Sequence, residues 1–216
     1  MRFFIVFFVC SFNFSVLANN NSLSPEKLIN QVEHLFKQNA ETLNYQNVVG
    51  ISNQIINQRI NYPSEIVAKT YLLLASVAIN KGELETALQF THDGLAIATN
   101  NQAVILPLQI NLAQIFSEKK QYQQLLTAAQ QAVSSPQKKE NTRCFLIALS
   151  YRSVAYSMLG QHTNALSDLQ QVEAVIQENP AFSEHILTDY FSKCPLSLRR
   201  LPNRFNGTVQ NIATTV

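Results

Sequence analysis

The side chains best suited to acid–base, nucleophilic or metal chemistry are scattered along this sequence rather than gathered. The four histidines, His34, His92, His162 and His185, form no HxxxH pair, so no helix face presents two imidazoles to a metal. Serines, histidines and aspartates all occur, but no Gly-x-Ser-x-Gly elbow or cysteine–histidine framework marks a nucleophile. Glu83 and Glu85 flank a turn and Glu173 and Glu178 lie on a helix flank, and for neither pair does the sequence indicate an apolar pocket that would hold one carboxyl protonated as a general acid. Lys119-Lys120 and Lys138-Lys139 fall at turns, where paired charges face water. The sequence therefore predicts no catalytic residue, no metal site and no cofactor.

The elements around these residues are helical. Of 216 residues, 46% are hydrophobic and only 14% charged; Gly (5) is scarce and Trp absent. That mixture suits a helical core and disfavours a Gly-dependent nucleotide fold or a turn-rich β-sandwich. Arg2, Lys193, Arg199, Arg200 and Arg204 supply five of the 16 basic residues, whereas all 14 acidic ones lie between residues 19 and 191. The body is thus mildly acidic and lacks the basic stripe that phosphate-backbone binding requires, so nucleic acid is not an expected partner.

Arg2 followed by Phe-Phe-Ile-Val-Phe-Phe-Val-Cys, then Val16-Leu17-Ala18 and Asn19-Asn20-Asn21, reads as a signal peptide, residues 1–18, cleaved after Ala18. Asn13 and the short apolar run disfavour a permanent span, although an uncleaved anchor is the rival reading. Bulky Phe8 and Val9 ahead of Cys10 argue against lipidation. Export permits disulfides; Cys144 and Cys194 could bridge or stay reduced, and reduced thiols are the expectation.

Self-similarity is the strongest signal. Tyr71-Leu-Leu-Leu-Ala75, Gly82 and Ala87-Leu88 spell a helix, a tight turn and a second helix; Leu112-Ala113, Phe116, Lys120 and Leu125-Leu126 repeat it, as do Tyr156, Gly160 and Ala165-Leu166. Turns at 82, 120 and 160 set a period near 39, and a weaker copy turns at Leu43-Asn44-Tyr45. Units are expected near 25–60, 64–101, 106–139 and 143–179, with a partial one at 181–193, and with Tyr71, Leu112 and Leu166 interior. Ser24-Pro25 and Pro63-Ser64 open units, while Pro136 and Pro180 close them. Pro107, inside an apolar run, predicts a late start for its helix.

These residues resemble the tetratricopeptide repeat, in which large–small and aromatic positions, a turn glycine and alanines recur. Residues 68–101 carry Leu74-Ala75, Gly82, Leu84, Ala87-Leu88 and Gly94-Leu95; residues 106–139 carry Leu112-Ala113, Phe116, Tyr122, Leu126 and Ala132-Val133, with Lys120 for the turn glycine. The third unit keeps Gly160 and Ala165-Leu166 but has Arg152-Ser153 at the large–small position, which Val154-Ala155 would fill only if the turn were shorter. The resemblance implies an all-α, tetratricopeptide-like α-solenoid. The units most resemble the exported sensor regions of bacterial diguanylate cyclases, without a Gly-Gly-Asp-Glu-Phe signature, so no cyclase activity is implied.

The resemblance further implies a concave groove for a protein or peptide. Its positions here are Asn30, Glu33 and Lys37; Lys69, Leu72, Ser76 and Asn80; Ile110, Gln114, Ser117 and Glu118; and Ser150, Val154 and Ser157. The expected protein is non-enzymatic, periplasmic or secreted, and uninserted in the membrane after cleavage; the alternative is a truncated sensor fragment without independent activity. Ala181 to Lys193 begins like another first helix, with Phe182, Ile186, Leu187, Tyr190 and Phe191 on helical spacing, whereas residues 194–216, with Pro195 and Pro202, share neither period nor composition and are read as an irregular or disordered tail.

Overall fold

The computed structural model describes residues 24–37, 44–98, 100–135 and 141–178. The signal segment 1–18, Lys138-Lys139, His185, Cys194, the partial unit 181–193 and the tail 194–216 lie outside the described residues. Within them the protein is all-α, without a strand: α1 Pro25–Lys37, α2 Tyr45–Asn57, a 3₁₀ turn Arg59–Asn61, α3 Ser64–Asn80, α4 Leu84–Ile97, α5 Gln102–Glu118, α6 Tyr122–Val133, α7 Thr142–Met158 and α8 His162–Glu178. No helix among the described residues is long and apolar enough to cross a membrane.

Neutral amides start several of these helices. The side-chain oxygens of Asn44, Asn101 and Asn141 accept from the backbone N–H of Asn47, Ala103 and Cys144, at 3.0, 3.1 and 3.4 Å, satisfying donors that the first turn leaves free. Three helices end alike. At Gly82, Lys120 and Gly160 the backbone enters the left-handed region, with φ of 74°, 58° and 77°. In each case this residue's N–H reaches back three residues, to Ile79, Ser117 and Ser157. The next N–H reaches five, to Ala78, Phe116 and Tyr156. This paired closure fixes where the following helix departs, so the α3–α4, α5–α6 and α7–α8 hairpins share one turn geometry.

The hairpins pack in chain order. α1 lies against α2 and α3, α3 against α4 and α5, α5 against α6 and α7, and α7 against α8; α2, α4 and α6 also pack on the helix that follows each. The odd-numbered helices thus lie side by side, a helical-repeat-like arrangement. α3 is enclosed by both neighbours, which is why thirteen of its seventeen residues are buried and why its sequence is apolar on all sides. Small side chains recur at one buried position: Ala75, Ala113 and Ser153, each seven residues before a turn, are all fully buried. Gly94 on α4 marks a close approach, since an added Cβ would sit 3.1 Å from both Leu108 methyls and 3.2 Å from Tyr71 Cβ.

Two expectations need correction and one open register is resolved. Pro107 does not delay its helix: α5 begins five residues earlier, at Gln102, because Asn101 caps it. The helix continues through the proline, giving up the bond that its missing N–H would make. Ser153 rather than Ala155 is the small residue seven before Gly160, so the last hairpin needs no shortened turn. Tyr71 and Leu112 are buried as expected, but Leu166 is 44% exposed.

Candidate functional site

The side chains with chemical potential remain apart. His34, His92 and His162 are exposed, as are Glu83, Glu85 and Glu178. Among the described residues no three histidine, cysteine or acidic side chains converge as for a metal ion. Cys144 is a free thiol, pushed up in pKa mainly by burial, against the lowering effects of Arg143 and Asn141; a protonated thiol is a poor nucleophile. A cavity of about 550 Å³ opens beside the first turns of α3 and α5, lined by Ser64, Glu65, Asn101 and Gln102 among others. Its carboxylate, Glu65, is held below the usual glutamate range by its hydrogen bond to Lys69. It is ionised at neutral pH and cannot serve there as a proton donor.

The odd helices hold the fourteen groove positions, and burial divides them. Asn30, Asn80 and Glu118 are exposed; Glu33, Ser76, Ile110, Gln114 and Ser117 are half-buried; Lys69, Leu72, Ser150, Val154 and Ser157 are buried. Lys37 ends α1, with its side chain outside the described residues. Leu72 packs with Val104 and Leu108, and Val154 with Leu125 and Leu126, so both serve the core. Among the accessible positions, Ser76 and Asn80 lie near the end of α3, and Gln114, Ser117 and Glu118 near the end of α5. Asn111 Nδ2 donates to Ser76 Oγ at 3.4 Å, joining the two helices at this face.

Charge links helices rather than opening a site. Lys69 Nζ contacts Glu33 at 2.6 Å and Glu65 at 2.8 Å, tying α3 to α1. Burial alone would lower the Lys69 pKa, but its hydrogen bonds to both glutamates outweigh this and raise it. Lys119, expected to face water, instead contacts Glu85 at 2.5 Å and ties α5 to α4. The Arg152 guanidinium donates twice to Asp168, from Nε to Oδ2 at 2.8 Å and from Nη2 to Oδ1 at 2.6 Å. Asp168 is only 2% exposed. Eight residues before the turn, Arg152 stands where the other hairpins have Leu74 and Leu112; eight after it, Asp168 stands where they have Phe90 and Ala128. An ion pair thus occupies the positions at which the α5–α6 hairpin has Leu112 and Ala128 in one apolar cluster, which accounts for Arg152 at the large position. Sequence reasoning missed Asp168 and Asn111; the signal available was a polar residue at a position apolar in the other hairpins.

Compared with protein-family models, with curated proteins and with solved structures, the chain matches none.

Proposed function

We propose that this chain is an exported, non-enzymatic tetratricopeptide-like α-solenoid that binds a protein or peptide on the periplasmic or extracellular side of a bacterial signalling system. Support for the repeat reading comes from the shared turn geometry at Gly82, Lys120 and Gly160 and from packing that joins each helix to the next one or two. Support for export comes from the apolar segment that follows Arg2. The observation that carries the binding reading is the patch of hydroxyls and amides, with one carboxylate, on adjoining helices: Ser76 and Asn80 on α3, Gln114, Ser117 and Glu118 on α5. Such groups pair with the backbone of an extended peptide or with polar side chains of a docked helix.

The test is selection of a peptide library on the mature chain, followed by affinity measurement on an Asn80→Ala, Gln114→Ala, Glu118→Ala variant. These side chains are exposed or half-buried, so the melting temperature is expected to hold while affinity falls at least about tenfold, roughly 1.4 kcal/mol. Unchanged affinity in the triple variant would overturn this choice of surface. Lys69 is unsuitable for the test because its loss would unpair Glu33 and Glu65.

A further inference from the structure

The three hairpins that share a turn geometry also share an accessible position at the ends of their first helices. Asn80, Glu118 and Met158 stand two residues before Gly82, Lys120 and Gly160, and all three are exposed. α3 packs on α5 and α5 on α7, so these residues make a row across three adjoining helices, at the turn end of each. The chemistry changes along the row from an amide to a carboxylate to a thioether. A partner crossing the helices would meet a different demand at each one.

The middle of the row carries a charge that the fold does not use. Among the acidic residues of the hairpins α3–α4 and α5–α6, Glu65 pairs with Lys69, Glu85 with Lys119, and Glu83 lies 4.0 Å from Lys81, while Asp93 accepts from Gln89 at 3.0 Å. Glu118 makes no such contact among the described residues: Lys119 is held by Glu85, and Lys120 forms no ion pair with it. At the end of the row Met158 is 41% exposed, where large apolar side chains are otherwise exposed only at Ile60 and Leu166 among the described residues. Methionine adapts its shape to an apolar partner.

We propose that the partner is a peptide segment in polyproline II conformation that crosses α5 and α7 at this row, with a lysine or arginine on Glu118 and an apolar side chain three residues away on Met158. This deepens the peptide-binding reading above and rests on it. The spacing follows from geometry. Packed helices lie about 8–10 Å apart. A polyproline II chain returns to the same side every third residue, after about 9 Å. A β-strand returns every second residue, so its side chains on one face fall at about 7 or 13 Å and miss the neighbouring helix. The polyproline II backbone makes no internal hydrogen bonds, which leaves its amides free for Gln114 and Asn80. Repulsion at Glu118 would turn away segments with an acidic residue at that point.

Peptides selected from a random library on the full chain are the probe. Enrichment of Lys or Arg with an apolar residue three positions away is expected, and resynthesis with the two residues moved to a separation of two or four should weaken binding. Glu118→Gln should weaken the enriched peptides roughly two- to fivefold at low salt, a loss that closes at about 0.5 M NaCl. Glu118→Lys should turn selection towards Asp or Glu at the basic position, and Met158→Glu should abolish the apolar preference. Both side chains are exposed, so the melting temperature is expected to hold. Enriched peptides that lose affinity with Asn80→Ala and Gln114→Ala together, yet carry no basic residue or ignore Glu118→Lys, would overturn this inference and leave the peptide-binding reading standing. So would basic and apolar residues seven apart, the mark of a docked helix. A library that yields no binder would overturn both.

Discussion

Lys120 is the place to test whether the three turns are energetically as well as geometrically alike. An L-residue held in the left-handed region pays about 1–2 kcal/mol in contact between its Cβ and the following carbonyl, which glycine escapes. Against that, glycine adds freedom to the unfolded chain, about 0.4–1 kcal/mol. Lys120→Gly is therefore expected to stabilise the protein by about 0.5–1 kcal/mol, since the Lys120 side chain is exposed. That corresponds to a rise of roughly 1–4 °C in melting temperature for a chain of this size. Gly82→Ala and Gly160→Ala should move the melt down by a similar amount. An added Cβ has nothing within 4 Å at either glycine, so the whole effect comes from the backbone. Thermal circular dichroism on the chain reads all three, with Lys120→Ala as control; it removes the side chain, leaves the conformational cost and should change little. A lower melting temperature for Lys120→Gly, or a gain in Lys120→Ala equal to that in Lys120→Gly, would refute the reasoning.

Other substitutions separate backbone freedom from packing and charge. Gly50, helical in α2 with open space at its Cβ position, should gain about 1 kcal/mol as Gly50→Ala. Gly94→Ala should lose about 1 kcal/mol, both glycine variants being read by urea titration, because Leu108 and Tyr71 are core residues and cannot yield. Arg152→Ala, which strands the Asp168 carboxylate, should cost about 3 kcal/mol, whereas Arg152→Leu with Asp168→Ala should fall within about 1 kcal/mol of the parent. A double variant as unstable as Arg152→Ala would show that the pair does more than fill an apolar position. For pH, the folded Glu65 carboxyl titrates below its ordinary 4.5, so its pairing with Lys69 contributes stability above that pH and loses it as pH falls through the lower folded value. The urea-midpoint gap between the parent and Glu65→Gln should therefore be present at pH 7, small because Glu65 is half-exposed, and closed in acid. The raised Lys69 pKa acts at the other end, its contribution complete below pH 10.5 and lost only as alkali rises past the folded value.

The all-helical fold was legible because turn chemistry and apolar spacing recur together. Gly82 and Gly160 need no tertiary context to mark left-handed turns, and the phase they set locates Lys120 even though lysine is a poor choice there. Pro107 points to a late start because proline suits a helix's first turn, whereas the cap at Asn101 and the buried Val104, Leu106 and Leu108 override the single lost bond. The accessible face was less legible. A register count names residues on one side of a helix, but whether they are wet depends on what the next helix covers; Leu72, Val154 and Ser157 share the count of groove positions and are buried. Polar partners across hairpins, such as Asn111 with Ser76 or Lys119 with Glu85, lie some 35 residues apart, and no local pattern connects them.

Among the described residues, packing chiefly between near neighbours in the chain also sets how this molecule yields to force and heat. Few contacts clamp the first hairpin to the last, so fraying is expected to begin at an end and advance hairpin by hairpin, as a zipper does. A ligand lying across α3 and α5 would act as a splint over one seam, stiffening the middle of the array while its ends stay compliant.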